Sequence, residues 1–170
     1  MKYRIRIYGD PVLREKTETV TGFDDDLKAI VEGMIEVMYE DNGMGLAAPQ
    51  VGIPCKIIVI DQSFGERVDD VLALVNPEII ETEGECVLEE GCLSVPGVYE
   101  NVTRPEKVIV RFQDTGGATH EIHADGMLAR IVQHEADHIE GILFIDRLSP
   151  VTRNLLSKTL RSLKEEGLKV

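Results

Sequence analysis

The segment His134-Glu135-Ala136-Asp137-His138 constrains this 170-residue chain more than any other. Histidines four residues apart lie one turn apart on a helix, so both rings can reach the same metal ion. The helix is expected to run from about Asp125, an N-cap residue type, to Gly141. At about 100° per residue, Leu128, Val132, Ala136 and Ile139 form an apolar arc. Arg130, Gln133, Asp137 and Glu140 face the other way. The two histidines fall at the edge of the apolar arc, and Glu135 projects into it. A carboxylate turned toward a core needs a function, because unpaired burial is costly. Burial also raises its pKa toward the range of a general base.

A metal site of this kind needs a third ligand. The metzincin protease pattern continues through Gly141 to a histidine, but Phe144 stands at that position and cannot ligate. The thermolysin pattern needs a later glutamate on another helix. Besides Asp146, only Glu165 and Glu166 follow Gly141, on the solvent side of a helix near the chain end. Neither peptidase pattern is completed. Three cysteines remain to be weighed. Cys55 reads as a small core residue in an apolar strand. Cys86 lies in a Glu-rich segment with no turn to present it. Cys92 stands in Glu90-Gly91-Cys92-Leu93-Ser94, where the glycine permits close approach to a ligand. One cysteine and two histidines leave a fourth position open for water, as a catalytic site requires. A purely structural site closes with four protein ligands and leaves Glu135 unexplained. His120 and His123 form a second H-x-x-H, but on a strand they point to opposite faces and read as exposed residues.

Around this helix the chain reads as α+β: antiparallel strands packed around the central H-E-x-x-H helix, with N- and C-terminal helices. Residues 24–41 form a helix with Leu27, Ile30, Val31, Met34, Ile35, Val37 and Met38 on one arc, stopped by Asn42-Gly43. Strand signals occupy Lys56–Asp61, Val71–Val75, Val108–Phe112 and Thr119–Ala124, with a turn at Asp114-Thr115-Gly116-Gly117. A last helix spans about 153–166. Length and the absence of linker-like stretches predict a single catalytic domain over 1–170. The odd cysteine count argues against a disulfide framework, and no apolar run approaches membrane-spanning length. The first residues carry no apolar signal region, so the expected compartment is cytoplasmic.

Gly43-Met44-Gly45-Leu46-Ala47-Ala48 matches a dinucleotide fingerprint superficially. It follows a helix and precedes a strand, the reverse of what that fingerprint needs, so it reads as a small-residue loop ending in Pro49-Gln50. Three motifs then occur in order: Gly43 to Gln50, Glu90-Gly91-Cys92-Leu93-Ser94, and Gln133-His134-Glu135-Ala136-Asp137-His138. Together they resemble the bacterial-type peptide deformylases, hydrolases that remove the N-formyl group from newly made polypeptides and release formate. The resemblance extends over essentially the whole chain. It implies Cys92, His134 and His138 as metal ligands and Glu135 as general base. It further implies that Gln50 and the Leu93 backbone N–H hold an oxyanion, and that Gly45 and Gly91 meet the substrate. It implies Fe²⁺ as the metal, whereas Cys/His₂ chemistry alone suggests Zn²⁺; Ni²⁺ and Co²⁺ also suit the donor set. It suggests an ion pair between Glu90 and Arg104 that steadies the Cys92 loop.

The implied substrates are formyl-Met nascent peptides. A net charge of −13 argues against membrane surfaces and against specific nucleic-acid binding. The C-terminal helix is the local exception. Between Arg147 and Lys164 stand Arg147, Arg153, Lys158, Arg161 and Lys164 with no acidic residue. Leu155, Leu156, Leu160 and Leu163 share the opposite arc, so a basic face is expected to remain available to the ribosome.

Overall fold

In this computed structural model residues 3–66 and 70–169 are described. Helix α1 (Asp25–Glu40) begins at Asp24, whose carboxylate accepts the Leu27 N–H at 3.1 Å, and ends before Asn42, which takes a left-handed φ of 56°. Five strands follow one antiparallel order, β1-β2-β3-β6-β7. They are β1 (Gly45–Ala47), β2 (Ile57–Asp61), β3 (Val71–Glu83), β6 (Lys107–Gln113) and β7 (Thr119–Asp125). Between β3 and β6 the chain leaves this sheet to make a separate hairpin, β4 (Cys86–Cys92) and β5 (Val95–Arg104). Helix α2 (Gly126–Ile139) carries the H-E-x-x-H, and α3 (Pro150–Leu155) and α4 (Ser157–Gly167) close the chain. Among the described residues no helix is long and apolar enough to cross a membrane.

Strand β2 shows why this arrangement holds. All five of its residues are buried, because helices cover both sheet faces. Ile58 and Ile60 join the cluster with Val132 and Ile139 of α2, whereas Ile57 and Val59 join that with Leu27, Val31 and Met34 of α1. A third cluster seats Val95, Val98 and Val102 of β5 against Leu143, Phe144 and Ile145 and against Leu160 and Leu163 of α4. The α+β architecture agrees with the sequence reading, with corrections.

The segment expected as a small-residue loop is instead strand β1, paired to β2 from Gly45↔Ile60 to Ala47↔Ile58, followed by a 3₁₀ turn at Ala48–Val51. Gly, Leu and Ala give no alternation by which so short an edge strand declares itself. The Glu-rich stretch around Cys86 is strand β4, and Cys55 precedes β2 in a lone bridge to Glu18. The helix expected over 153–166 is two helices that meet at Leu156. Leu156, Leu160 and Leu163 pack inward, but Leu155 is 80% exposed, so it does not belong to the packed arc.

Candidate active site

Three elements that are distant in sequence meet at one point. The hairpin supplies Glu90 and Cys92, α2 supplies His134, Glu135 and His138, and the β1 region supplies Gly45 and Gln50. Cys92, His134 and His138 offer ligand atoms that all lie within 4.8 Å of one another. The Cys92 Sγ is 3.3 Å from the His138 Nε2, and the two imidazoles stand edge to face with centroids 5.2 Å apart. His134 gives its Nδ1–H to Glu90 Oε2 at 2.9 Å, which fixes the tautomer and leaves its Nε2 available. Phe144, which occupies the metzincin ligand position, is buried and stacks on His134 at 6.1 Å. A thiolate and two imidazoles with an oriented second nitrogen make a donor set that fits one divalent ion.

Glu135 is 4% exposed, and its Oε2 has no hydrogen-bond partner among the described residues. Burial pushes its pKa up to about 7, against the opposing charge of His134. Glu90 behaves oppositely. Burial would raise it, but hydrogen bonds from His134 and Arg104 hold it well below the ordinary carboxylate range. Burial drives the His138 pKa well down, which keeps its ring neutral. One buried carboxylate is thus proton-accepting near neutrality while its neighbour stays ionised, the separation of roles that acid–base chemistry requires.

The remaining implied residues line the same cavity of about 570 Å³. Gln50 accepts the Ala47 N–H at 2.9 Å, and its amide nitrogen donates to Ser94 Oγ at 3.2 Å and to Cys92 Sγ at 3.6 Å. Its amide is therefore aimed at the cysteine. A Cβ on Gly45 would come within 2.7 Å of Glu135 Oε1 and of Ile131, so glycine there admits the glutamate side chain. A Cβ on Gly91 would strike the Tyr99 ring at 2.6 Å. Leu93 lines the wall between the strands of the hairpin. His120 and His123 are exposed on β7, away from this cluster, and His120 pairs with Asp114.

The side of α2 opposite its apolar arc holds residues that the sequence did not reveal as part of the site. Arg130, Gln133 and Asp137 are 5%, 6% and 7% exposed, packed beside the hairpin rather than in solvent. Arg104 Nε and Nη2 fork onto Glu90 at 2.6 and 3.0 Å, and Arg104 Nη1 reaches Asp137 at 2.8 Å. Arg130 adds a bond to Glu90 Oε1 at 2.9 Å and ties α2 to the Val102 and Cys86 carbonyls. The Glu90–Arg104 pair suggested by the resemblance is present and is buried. The spacing of Arg130, Gln133 and Asp137 was visible, but helical periodicity reports which residues share a face, not what covers it.

With this geometry in view, the comparisons with known proteins agree. The family described as polypeptide deformylase matches residues 2–154. Peptide deformylase of Thermodesulfovibrio yellowstonii is 48% identical over 160 residues, spanning 94% of this chain and 97% of that protein. A peptide deformylase structure from Plasmodium falciparum superposes with a TM-score of 0.91 at 39% identity, covering 96% of each chain. That of the Thermotoga maritima enzyme gives a TM-score of 0.82 at 46% identity, covering 88% of this chain and 99% of the other.

Proposed function

The chain belongs to the polypeptide deformylase family, and from that premise we propose that Cys92, His134 and His138 hold one divalent metal ion beside Glu135, in a single catalytic domain over 1–170. The reaction is the metal-dependent hydrolysis of the N-formyl group from the formyl-methionine of new polypeptides. The reading of the site rests on one juxtaposition. Three ligand atoms lie within 4.8 Å of one another, and two of their residues, Cys92 and His134, line a cavity with Glu135, whose buried Oε2 has no partner among the described residues.

A metal held by Cys92, His134 and His138 would supply Lewis acidity, which lowers the pKa of a water and polarises a carbonyl. Glu135 takes the proton of that water as its oxygen bonds to the formyl carbon. Charge grows on the former carbonyl oxygen, where the Gln50 amide and the Leu93 N–H stabilise it. Glu135 then delivers the proton to the departing nitrogen as the C–N bond breaks, so formate leaves and the peptide gains a free amine. Glu90 orients His134 throughout, the backbone of Gly45 bonds to the peptide backbone, and Gly91 contributes to substrate binding from the cavity wall. Fe²⁺ is the proposed resident ion, with Zn²⁺, Ni²⁺ and Co²⁺ as substitutes that the same donors accept.

We place the protein in the cytoplasm, with a contact to the ribosome through the C-terminal helices. Lys158, Arg161 and Lys164 are exposed, and an open groove of about 580 Å³ beside them is lined by Arg153, Arg161, Lys164 and Tyr8. Arg147 and Arg153 are committed to Asp137 and Asp146, which narrows the expected basic face to those three residues. The decisive experiment is formate release from a formyl-Met peptide before and after chelation, then after return of each metal. Release abolished by the chelator and restored by one equivalent of ion supports the reading. Full release from metal-stripped protein refutes it.

A further inference from the structure

Asp137 sits within the H-E-x-x-H, and its carboxylate is fully used. Oδ2 accepts from Arg104 Nη1 at 2.8 Å and from Arg147 Nε at 2.6 Å, and Oδ1 accepts from Arg147 Nη2 at 2.6 Å. Arg147 closes the 3₁₀ turn Phe144–Arg147, just before α3. Charge-assisted bonds therefore run without a break from Arg147 to Asp137, Arg104, Glu90 and the Nδ1–H of His134. The three middle members are each at most 7% exposed. We infer that Arg147 is a positioning residue for the metal centre, acting through Asp137, Arg104 and Glu90 on His134. The inference rests on the proposed role of His134 as a ligand.

The geometry gives the route. Arg104 divides its donors, with Nε and Nη2 on Glu90 and only Nη1 on Asp137. Arg147 makes that division stable because it satisfies Asp137 from the other side with a two-bond fork. Without Arg147, Asp137 Oδ1 has no partner among the described residues, and a buried carboxylate oxygen left unmet is costly. Among the described residues Arg104 is then the one cation in contact with Asp137, and its guanidinium has to shift toward Oδ1 to bring the second N–H of Nη2 onto that oxygen. That nitrogen now serves Glu90 Oε2, the same atom that accepts from His134. The shift lengthens that contact, Glu90 turns about its Oε1 contacts to Arg104 Nε and Arg130 Nη1, and His134 is held less firmly. The junction of the C-terminal helices is thereby wired to the metal shell.

The test uses full-length protein loaded with one equivalent of Co²⁺, read by its visible absorption and by the rate of metal loss to excess chelator. Arg147→Met should lose Co²⁺ about tenfold faster and shift the spectrum, as expected when the partner of a ligating histidine is disturbed. The KM for a formyl-Met tripeptide should stay unchanged. Arg147→Lys, which meets only one Asp137 oxygen, should fall between the two. Arg153→Met cuts a neighbouring ion pair of the same segment, to Asp146, and should retain metal like the parent. Asp137→Asn combined with Arg147→Met should be no faster than Asp137→Asn alone. The inference fails if Arg147→Met holds Co²⁺ as long as the parent, if Arg153→Met loosens it equally, or if the two effects multiply. A parent protein unable to hold Co²⁺ would instead remove the ligand assignment, and this inference with it.

Discussion

Glu135→Gln should separate activity from stability in a way that no general loosening of the site can imitate. The side chain lies directly over Gly45, where a Cβ would come within 2.7 Å of Oε1, and glutamine fills the same volume. Cys92, His134 and His138 stay where they are, so the metal should remain at full stoichiometry. Proton transfer is lost, and general acid–base catalysis is worth about 10²–10⁴ in rate, or about 3–5 kcal/mol of barrier. Stability should move the other way. The buried Glu135 Oε2 has no partner among the described residues, and burial raises the carboxyl pKa from 4.5 to about 7. A raised folded-state pKa means that stability is full below pH 4.5 and is lost as pH rises through about 7. The amide does not titrate, so the variant escapes that loss, a gain of up to about 3 kcal/mol at pH 8. Urea unfolding of metal-free parent and variant at pH 5 and pH 8, together with formate release by the metal-loaded forms, gives both numbers. Turnover within about threefold of the parent at full metal occupancy would show that Glu135 moves no proton. A variant less stable than the parent at pH 8 would contradict the desolvation argument.

Cys92→Ala should bind less than one equivalent of metal by elemental analysis and lose activity, whereas Cys92→Asp should keep an ion but shift preference toward harder metals, read by competition between Fe²⁺ and Zn²⁺. Breaking the pair in which Arg104 and Glu90 are 2% and 5% exposed should be severe: Arg104→Met should cost about 3–5 kcal/mol in urea unfolding, and a cycle with Glu90→Gln should show strong coupling. Additive effects in that cycle would mean that the two groups do not act as a unit. Charge reversal of Lys158, Arg161 and Lys164 to Glu should weaken ribosome co-sedimentation at low salt and leave hydrolysis of a free formyl-Met tripeptide unchanged; unaltered co-sedimentation counts against docking through α4. Asp146 is held below the ordinary carboxylate range: burial opposes this, but hydrogen bonds from Arg14 and the Leu143 N–H prevail. Its stabilisation is therefore present above pH 4 and lost as pH falls below it. Asp146→Asn should lower stability at pH 7 by about 1–2 kcal/mol and flatten the acid limb of the unfolding curve.

Much of this protein is determined by local sequence. The four-residue spacing of His134 and His138 places both rings on one helix face whatever surrounds it. Asp24 caps α1, and the run Ile57–Asp61 can be satisfied only by burial on both sides of a sheet. The glycine before Cys92 and those around Met44 mark places where the chain must come close to something. What they come close to is not local. Gly45 makes room for Glu135, 90 positions later, and Gly91 for the ring of Tyr99. Cys92 reaches His138 only because the hairpin leaves the main sheet after β3 and is clasped to α2 by Arg130 and Arg104. The polar face of α2 shows the limit most plainly. Arg130, Gln133 and Asp137 have the pattern of a solvated helix face, and the same pattern serves a buried one when opposite charges arrive from β4, β5 and the turn before α3. Periodicity records the polarity of a residue; only tertiary structure supplies the partner that makes its burial affordable, and here those partners are the supports of the metal site.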